Sequence, residues 1–459
     1  MTNNATINMT NTINNDINDI KPVHHIVIVG GGAGGLELAT QLGKKLGKHK
    51  RARITLLDSK RTHIWKPLLH EVAAGTFDSY ENQVEYMAQA KENHFEYRLG
   101  RMYKLDRQKH MVYVAPTHNK DNEEIIPERE FHYDTLVMAV GSVSNDFNIE
   151  GVRENCLFLD TKQQAQEFQN QLLETYIKAN TQTTEIKPGQ LDVVIAGAGA
   201  TGIELSAQLH KVSRLFTSYG LDQINPAEIK IHIVEAADRI LSGLPPKLSI
   251  ATHAELSKLN IDVITNERVV KVDKDQLLTH TGRVIPAAIK VWAAGIKAPD
   301  FLNQLDGLEV NRINQLVVKQ TLQTTEDENI FAMGDCAQCE WPEMNSHVPP
   351  RAQSAHQQAS LLIKTMKVRA SNKDPAKQTL PEFKYKDYGS LVSLGKYSTV
   401  GNLMGNLTGT VMVEGFFARM VYLSLYKMHQ LALFGFYRTM MLSIAHTLRS
   451  TVHPEIKLH

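Results

Sequence analysis

Three features of the sequence predict an α/β fold with two Rossmann-like dinucleotide-binding domains. An apolar strand, a glycine turn, an apolar-faced helix and a second strand follow one another twice, from Pro22 to Asp58 and again from Leu191 to Glu235. Both strand-to-helix turns read G-x-G-x-x-G, as Gly30-x-Gly32-x-x-Gly35 and Gly197-x-Gly199-x-x-Gly202. After about Tyr388 the chain turns to Gly-rich strands and then to a basic stretch free of acidic residues, which marks a separate C-terminal module.

Residues 1–21 are rich in Asn and Thr and lack both a basic start and an apolar run, so they read as a disordered leader and not as a secretory signal. From Pro22 the run VHHIVIVG has the continuous apolar character of a parallel strand buried on both faces. Leu36, Leu38, Ala39 and Leu42 then recur at helical spacing, and Arg53 to Leu57 forms a second strand that ends at Asp58. The first glycine of such a turn permits the bend, the second admits a pyrophosphate close to the backbone, and the third lets helix pack on strand. The helix N-terminus then faces the phosphates. Asp58 and Glu235, each closing the next strand, are placed to bond a ribose hydroxyl.

At Glu235 a 2′-phosphate about 4 Å away would meet several kcal/mol of repulsion at an effective dielectric near 20, which favours NADH over NADPH. Arg239, four residues on, could soften that preference. TLVMAVGS, with Gly141, and VIPAAIKVWAAGIKAPD, with Gly295, each carry an apolar strand into a small-residue turn and are expected to return beneath a dinucleotide. Gly334-Asp335 ends the strand of FAMGDCA; its carboxylate suits the ribityl and pyrophosphate region of a flavin, or an ordinary turn.

Composition narrows the function. The chain of 459 residues has 50 basic and 49 acidic side chains, so nothing in its overall charge points to nucleic acid. Three cysteines, Cys156 and the pair Cys336-x-x-Cys339, cannot form a disulfide framework and fit a reducing compartment. The lone CxxC makes a poor zinc site, so no functional metal is expected and packing, or adventitious copper binding, is its simplest reading. No stretch reaches the roughly 18 uninterrupted apolar residues of a spanning helix.

Taken in order, fingerprint, TLVMAVGS, fingerprint, VWAAGIKAPD and FAMGDCA resemble the two-dinucleotide-binding flavoproteins, in which a nicotinamide domain is inserted into a split FAD domain. More specifically, GGGAGGLELATQLG, HIWKPLLHEVA, GAGATGIELSAQL, VPPRAQSAHQ and GSLVSLGKYSTVG are similar to bacterial type II, non-proton-pumping NADH:quinone oxidoreductases. The resemblance implies a first FAD segment over 22–185, an NADH domain over 186–302, a second FAD segment over 303–387 with a quinone-site helix, and a docking and dimerisation module over 388–459. It implies FAD contacts from Gly30, Gly32, Gly35, Asp58, Lys66, Gly141, Gly334, Asp335 and Ala352, and NADH contacts from Gly197, Gly199, Gly202, Glu235 and Gly295.

Among catalytic residues it implies Glu204, near the flavin and nicotinamide rings, and the pair Gln353 and Gln357 at a quinone. Their i, i+4 spacing places both amides on one helical face, and amides donate or accept without changing charge. Glu37, the counterpart of Glu204 in the first fingerprint, is expected to serve ribose or structure, and Lys396 to lie near the quinone route. A reductase of a soluble ferredoxin-like carrier and a slow flavoprotein redox sensor remain as rival readings.

The tail separates these readings. Gly415 to Pro454 contains no Asp or Glu, and Lys427, Arg438 and Arg449 recur at an interval close to three helical turns, so they share a face if one helix is continuous. A helix with a basic and an apolar face lies in a bilayer interface, which predicts docking through residues of about 415–454. A homodimer interface is the competing, and compatible, use of the apolar face. The expected location is peripheral, at the cytoplasmic face of a bacterial inner membrane, where a membrane quinone is at hand.

Overall fold

A computed structural model describes residues 23–371, 379–394, 399–403, 411–414 and 416–450. The expected leader and Lys396 lie outside them. The chain begins a parallel sheet with β1 (His25–Val29), β2 (Arg53–Asp58), β3 (Glu96–Leu99) and β4 (Thr135–Met138). It then builds a second parallel sheet from β5 (Val193–Ala196), β6 (Ile231–Val234), β7 (Asp262–Ile264) and β8 (Ile289–Trp292), and returns to the first with β9 (Ile330–Ala332). The orders are β9, β4, β1, β2, β3 and β7, β6, β5, β8. One nucleotide-binding unit is therefore inserted into another, as the resemblance to two-dinucleotide flavoproteins implies.

Register follows from burial on both faces. Val27 pairs with Thr55 on one side and Leu136 on the other, and Val137 pairs with Phe331 of the returning strand. Ile26, Val27 and Ile28 are fully buried, each contributing roughly 1.5–3 kcal/mol of hydrophobic stabilisation. In the second unit Ile195 pairs with both Ile233 and Val291. Helix α1 (Ala33–Leu42) leaves the first fingerprint and buries Leu36, Leu38 and Leu42 against this sheet.

Helix α2 (Lys162–Thr181) starts with a capping box, in which Thr161 and Gln164 satisfy each other's backbone N–H groups. Its Phe168, Leu172 and Tyr176 join the core of the second unit, so that core draws on residues well upstream of 186. Helix α3 (Ala200–Leu215) leaves the second fingerprint, and α4 (Ala352–Arg369) packs on α1.

The tail has an antiparallel sheet of Gly389–Ser393, Thr399–Leu403 and Val411–Glu414, followed by α5 (Phe416–Phe434) and α6 (Phe436–Ser450). The condition for aligned cations, one continuous helix, is not met. Gly435 takes φ 78°, a left-handed conformation that ends α5, and the chain restarts as α6. Lys427 bonds Gln430 on α5, and Arg438 on α6 pairs with Glu92 of the first unit. The side chains of Arg419 and Arg449 lie outside the description.

The end of α5 is held by the first unit. Gln41 Nε2 donates to the Ala432 carbonyl at 2.8 Å, while Lys44 Nζ and Gln89 Nε2 donate to that of Leu433, both at 3.3 Å. These donors satisfy carbonyls that a helix terminus leaves open, and the Lys44 cation also suits the negative end of the helix dipole. Leu425, Met428 and Leu431 on α5, with Phe436, Tyr437, Met441, Ile444 and Leu448 on α6, remain exposed. Among the described residues no helix is long and apolar enough to cross a membrane.

Candidate functional site

Both fingerprints have the shape that a dinucleotide needs. A Cβ on Gly35 would lie 1.9 Å from the Gly30 carbonyl oxygen, and one on Gly202 would lie 2.1 Å from that of Gly197, so each third glycine is required by helix-to-strand packing. The middle glycines differ. A Cβ on Gly32 or Gly199 would meet no protein atom within 4 Å, which leaves open space beside the start of each helix. Such a notch, lined by backbone N–H groups, fits a pyrophosphate.

The two carboxylates are set by the loops they serve. Asp58 accepts from Gly31 N–H at 2.6 Å and Lys60 N–H at 2.7 Å; Glu235 accepts from Ala198 N–H at 2.7 Å and Ala237 N–H at 2.9 Å. In each case the middle residue of G-x-G anchors the carboxylate, whose remaining lone pairs can accept from ribose hydroxyls. Burial pushes the Asp58 carboxyl above the usual range. The Arg239 guanidinium donates to the carbonyls of Leu241, Ser242 and Leu244 at 3.2, 2.6 and 3.0 Å, and among the described residues it forms no ion pair with Glu235.

Lys66 and Asp335 meet on Ser142, next to Gly141. Lys66 Nζ donates to the Ser142 carbonyl at 2.9 Å and to Asp160 at 3.1 Å, and Ser142 Oγ donates to Asp335 at 2.8 Å. Gly334 takes φ 71° and its N–H donates to Gln358 of α4 at 2.7 Å, tying the Gly-Asp turn to the helix that begins at Ala352. Gly295, at φ 68°, packs its Cα face on Phe147; a Cβ there would lie 2.6 Å from that ring. Glu204 is buried on α3 with its carboxyl 3.6 Å from His70 Nδ1, and burial lowers the His70 pKa to about 4.

Gln353 and Gln357 share a face of α4 as expected, but that face is paired with backbone. Gln357 accepts from the Lys386 N–H at 3.0 Å and donates to its carbonyl at 2.9 Å. Gln353 accepts from Tyr388 N–H at 3.2 Å and donates to the Gly389 carbonyl at 3.0 Å. The two amides thus act as rungs of a ladder that seats the entry to the tail. Gln357 keeps one N–H and one carbonyl lone pair for a ligand, and Gln353 keeps one carbonyl lone pair, its second N–H lying 3.5 Å from Asp387 Oδ1.

Two contacts between distant segments were not legible in the sequence. Glu37, 4% exposed on α1, accepts from His356 Nδ1 at 2.8 Å, and that bond raises the His356 pKa against the effect of burial. His63 and His429 of α5 share a hydrogen bond between their Nε2 atoms at 3.0 Å, with the Trp65 ring 4.3 Å from that of His429. His63 also bonds the backbone of Gly31, in the first fingerprint. Burial holds both rings neutral, His63 with its pKa lowered to about 4 and His429 well below the ordinary value.

Cys336 and Cys339 are fully buried, and burial pushes their thiols up to about 11 and about 12. Thiols that are neutral and enclosed are poor nucleophiles. Packing accounts for them.

A cavity of about 1520 Å³ joins several of these parts. Its wall includes Gly199, Glu235 and Gly295 from the second unit, Ala33, Glu37 and Trp65 from the first, Ala352, Gln353, His356 and Gln357 from α4, and Leu425 and His429 from α5. Asp58, Lys66, Asp335 and Glu204 stand apart from that wall.

Residues 24–359 match the family model described as pyridine nucleotide-disulphide oxidoreductase. The chain is 41% identical over 448 residues to a type II NADH:quinone oxidoreductase of Haemophilus influenzae, covering 95% of this chain and 100% of that protein. It is 26% identical to the type II NADH:quinone oxidoreductase NdhA of Mycobacterium tuberculosis, over 88% of this chain and 83% of the other. The solved structure of NDH2 from Plasmodium falciparum in complex with NADH superposes with a TM-score of 0.79 at 19% identity, over 95% and 100% of the two chains, which shows a shared fold.

Proposed function

Since this chain belongs to the type II NADH:quinone oxidoreductase family, we propose that it binds NADH at the second fingerprint and FAD at the first, and passes two electrons to a quinone in the cavity beside Gln353 and Gln357. One observation carries the assignment of sites: a single cavity runs from Gly199 and Glu235 to the exposed edge of Gln353 and Gln357 and on to α5. NADH and quinone can therefore approach one redox centre without crossing the protein.

When bound, FAD supplies a carrier that accepts two electrons from nicotinamide and releases them to quinone. The chain's own residues supply position. Gly32 and Gly199 leave room for pyrophosphates, Asp58 and Glu235 hold ribose, and the Ser142, Asp335 and Lys66 cluster borders the flavin-binding region. Glu235, with Arg239 occupied by carbonyls, favours NADH. Glu204, buried beside His70, tunes the nicotinamide end.

The exposed apolar residues of α5 and α6 support docking on a membrane surface, where a long-tailed quinone resides. We place this surface at the cytoplasmic face of a bacterial inner membrane, with proton translocation no part of the reaction, and we assign a homodimer to the remaining apolar area. Rapid mixing separates the two half-reactions. Gln357→Leu is expected to slow reoxidation by a short-chain quinone while sparing flavin reduction by NADH. Equal loss in both halves would reject its role.

A further inference from the structure

We infer that His356, backed by Glu37, is the acid that gives the quinone its second proton; this rests on the placement of quinone in the cavity proposed above. Overall, NADH and a quinone become NAD and a quinol, which takes up one proton beyond the hydride that NADH supplies. Some group at the quinone must deliver that proton. Gln353 and Gln357 do not titrate, so they can orient the quinone oxygens but cannot protonate them.

His356 sits between those two glutamines in sequence and lines the same cavity. Its Nδ1 is fixed at 2.8 Å from Glu37 Oε2, and the Glu37 side chain is 5% exposed while the imidazole side chain is 39% exposed. A buried carboxylate on one nitrogen and an accessible edge on the other is the arrangement that stores a proton on the outer nitrogen. Among the described residues no group bonds Nε2. In the transfer the Nε2–H bond breaks and an O–H bond forms on the quinone oxygen. Imidazolium becomes neutral imidazole still bonded to Glu37, and water at the exposed edge returns the proton.

The charges that face this pair bear on its pH response. Glu37 comes from α1, with Lys45 acting on it from just beyond that helix; His429 faces it from α5, with His63 behind. The Glu37 bond outweighs burial and raises the His356 pKa above that of ordinary imidazole. The donor form is therefore filled below the raised pKa and lost as pH rises through it. Both of these histidines are held neutral by burial and add little charge.

The test uses the FAD-loaded enzyme, a water-soluble short-chain quinone and, in parallel, ferricyanide, which takes electrons without protons. Wild-type reoxidation by quinone is expected to fall on the alkaline side, and His356→Gln to slow it on the order of 100-fold near neutrality, within the usual range for general acid catalysis. Reduction by NADH, reoxidation by ferricyanide and the flavin absorbance should be unchanged in that variant. Glu37→Gln, which keeps the size and removes the charge, should move the alkaline fall to lower pH. The assignment is overturned if His356→Gln reacts with quinone at the wild-type rate, if it slows quinone and ferricyanide alike, or if Glu37→Gln leaves the fall in place. Gln353→Leu separates the two levels. If it raises the quinone KM while His356→Gln is silent, only the acid is wrong; if neither variant affects quinone, the cavity is wrong as well.

Discussion

Gly199→Ala should improve folding and damage NADH binding at once. Gly199 precedes α3 with φ −73° and ψ 179°, an extended conformation open to any residue, and a methyl there touches no protein atom within 4 Å. Replacing a glycine by alanine at a compatible site stabilises a fold by about 0.4–1 kcal/mol, through the entropy of the unfolded chain. The same methyl occupies the notch assigned to the NADH pyrophosphate. Overfilling a fitted space costs about 1–3 kcal/mol. Affinity for NADH should then drop roughly 5- to 150-fold.

Gly202→Ala is the contrasting variant, because its methyl would lie 2.1 Å from a backbone oxygen and the fold itself must give. Scanning calorimetry and rapid-mixing flavin reduction, titrated with NADH, read the two effects separately. Gly199→Ala with wild-type NADH affinity would refute the reasoning, and so would a melting temperature as depressed as that of Gly202→Ala.

Three further outcomes are expected. Glu235→Ala should raise the ratio of NADPH to NADH efficiency by at least roughly tenfold, since the repulsion it removes is about 4 kcal/mol at 4 Å before screening; an unchanged ratio in steady-state kinetics would remove Glu235 from the ribose site. Met441→Asp with Leu448→Asp, at two exposed α6 positions, should weaken co-sedimentation with anionic vesicles by about tenfold or more while leaving soluble-quinone turnover intact, and undiminished binding would move the docking surface elsewhere. The contact between His63 and His429 should loosen in acid: both rings stay neutral when folded, whereas unfolded imidazoles gain protons below 6.5, so stability is full above that pH and is lost as pH falls toward 4. Replacing both by Leu should reduce the acid slope of the melting temperature without abolishing it, because His25 and His70 are also held neutral with pKa values lowered to about 4. A slope as steep as wild type would deny the pair its part.

What was legible in the sequence was local. The fingerprints could be read because three glycines and a strand-ending carboxylate encode contacts within some forty residues, and the structure places Asp58 and Glu235 on the loops their spacing suggested. The insertion of one unit into the other was legible only through the resemblance that the motif order carries; the pairing of the FAMGDCA strand with that of TLVMAVGS is seen in the structure. Helix α2 gave no such signal, because its membership of the second core depends on packing by Phe168, Leu172 and Tyr176 and not on any motif.

The contacts of Glu37 with His356 and of His63 with His429 join residues 319 and 366 positions apart, and neither has a spacing to detect. Glu37 was expected to serve ribose or structure, and only the meeting of α1 with α4 shows its partner. Gly435 is visible within LALFGFYR, but a glycine ends a helix only where its backbone turns left-handed, which the local sequence does not fix. At Gln353 and Gln357 the shared face was predictable from i, i+4 spacing. Their pairing with residues 386–389 depends on how the tail crosses α4, which local sequence does not encode.

One chain is proposed to join NADH, FAD and quinone in a single electron path. Anaerobic rapid mixing of the FAD-loaded protein with NADH, then with a short-chain quinone, tests it most directly. The flavin absorbance should bleach on the first mix and return on the second, with one quinol formed per NADH consumed. Flavin that bleaches with NADH and stays reduced in the presence of quinone would contradict the account.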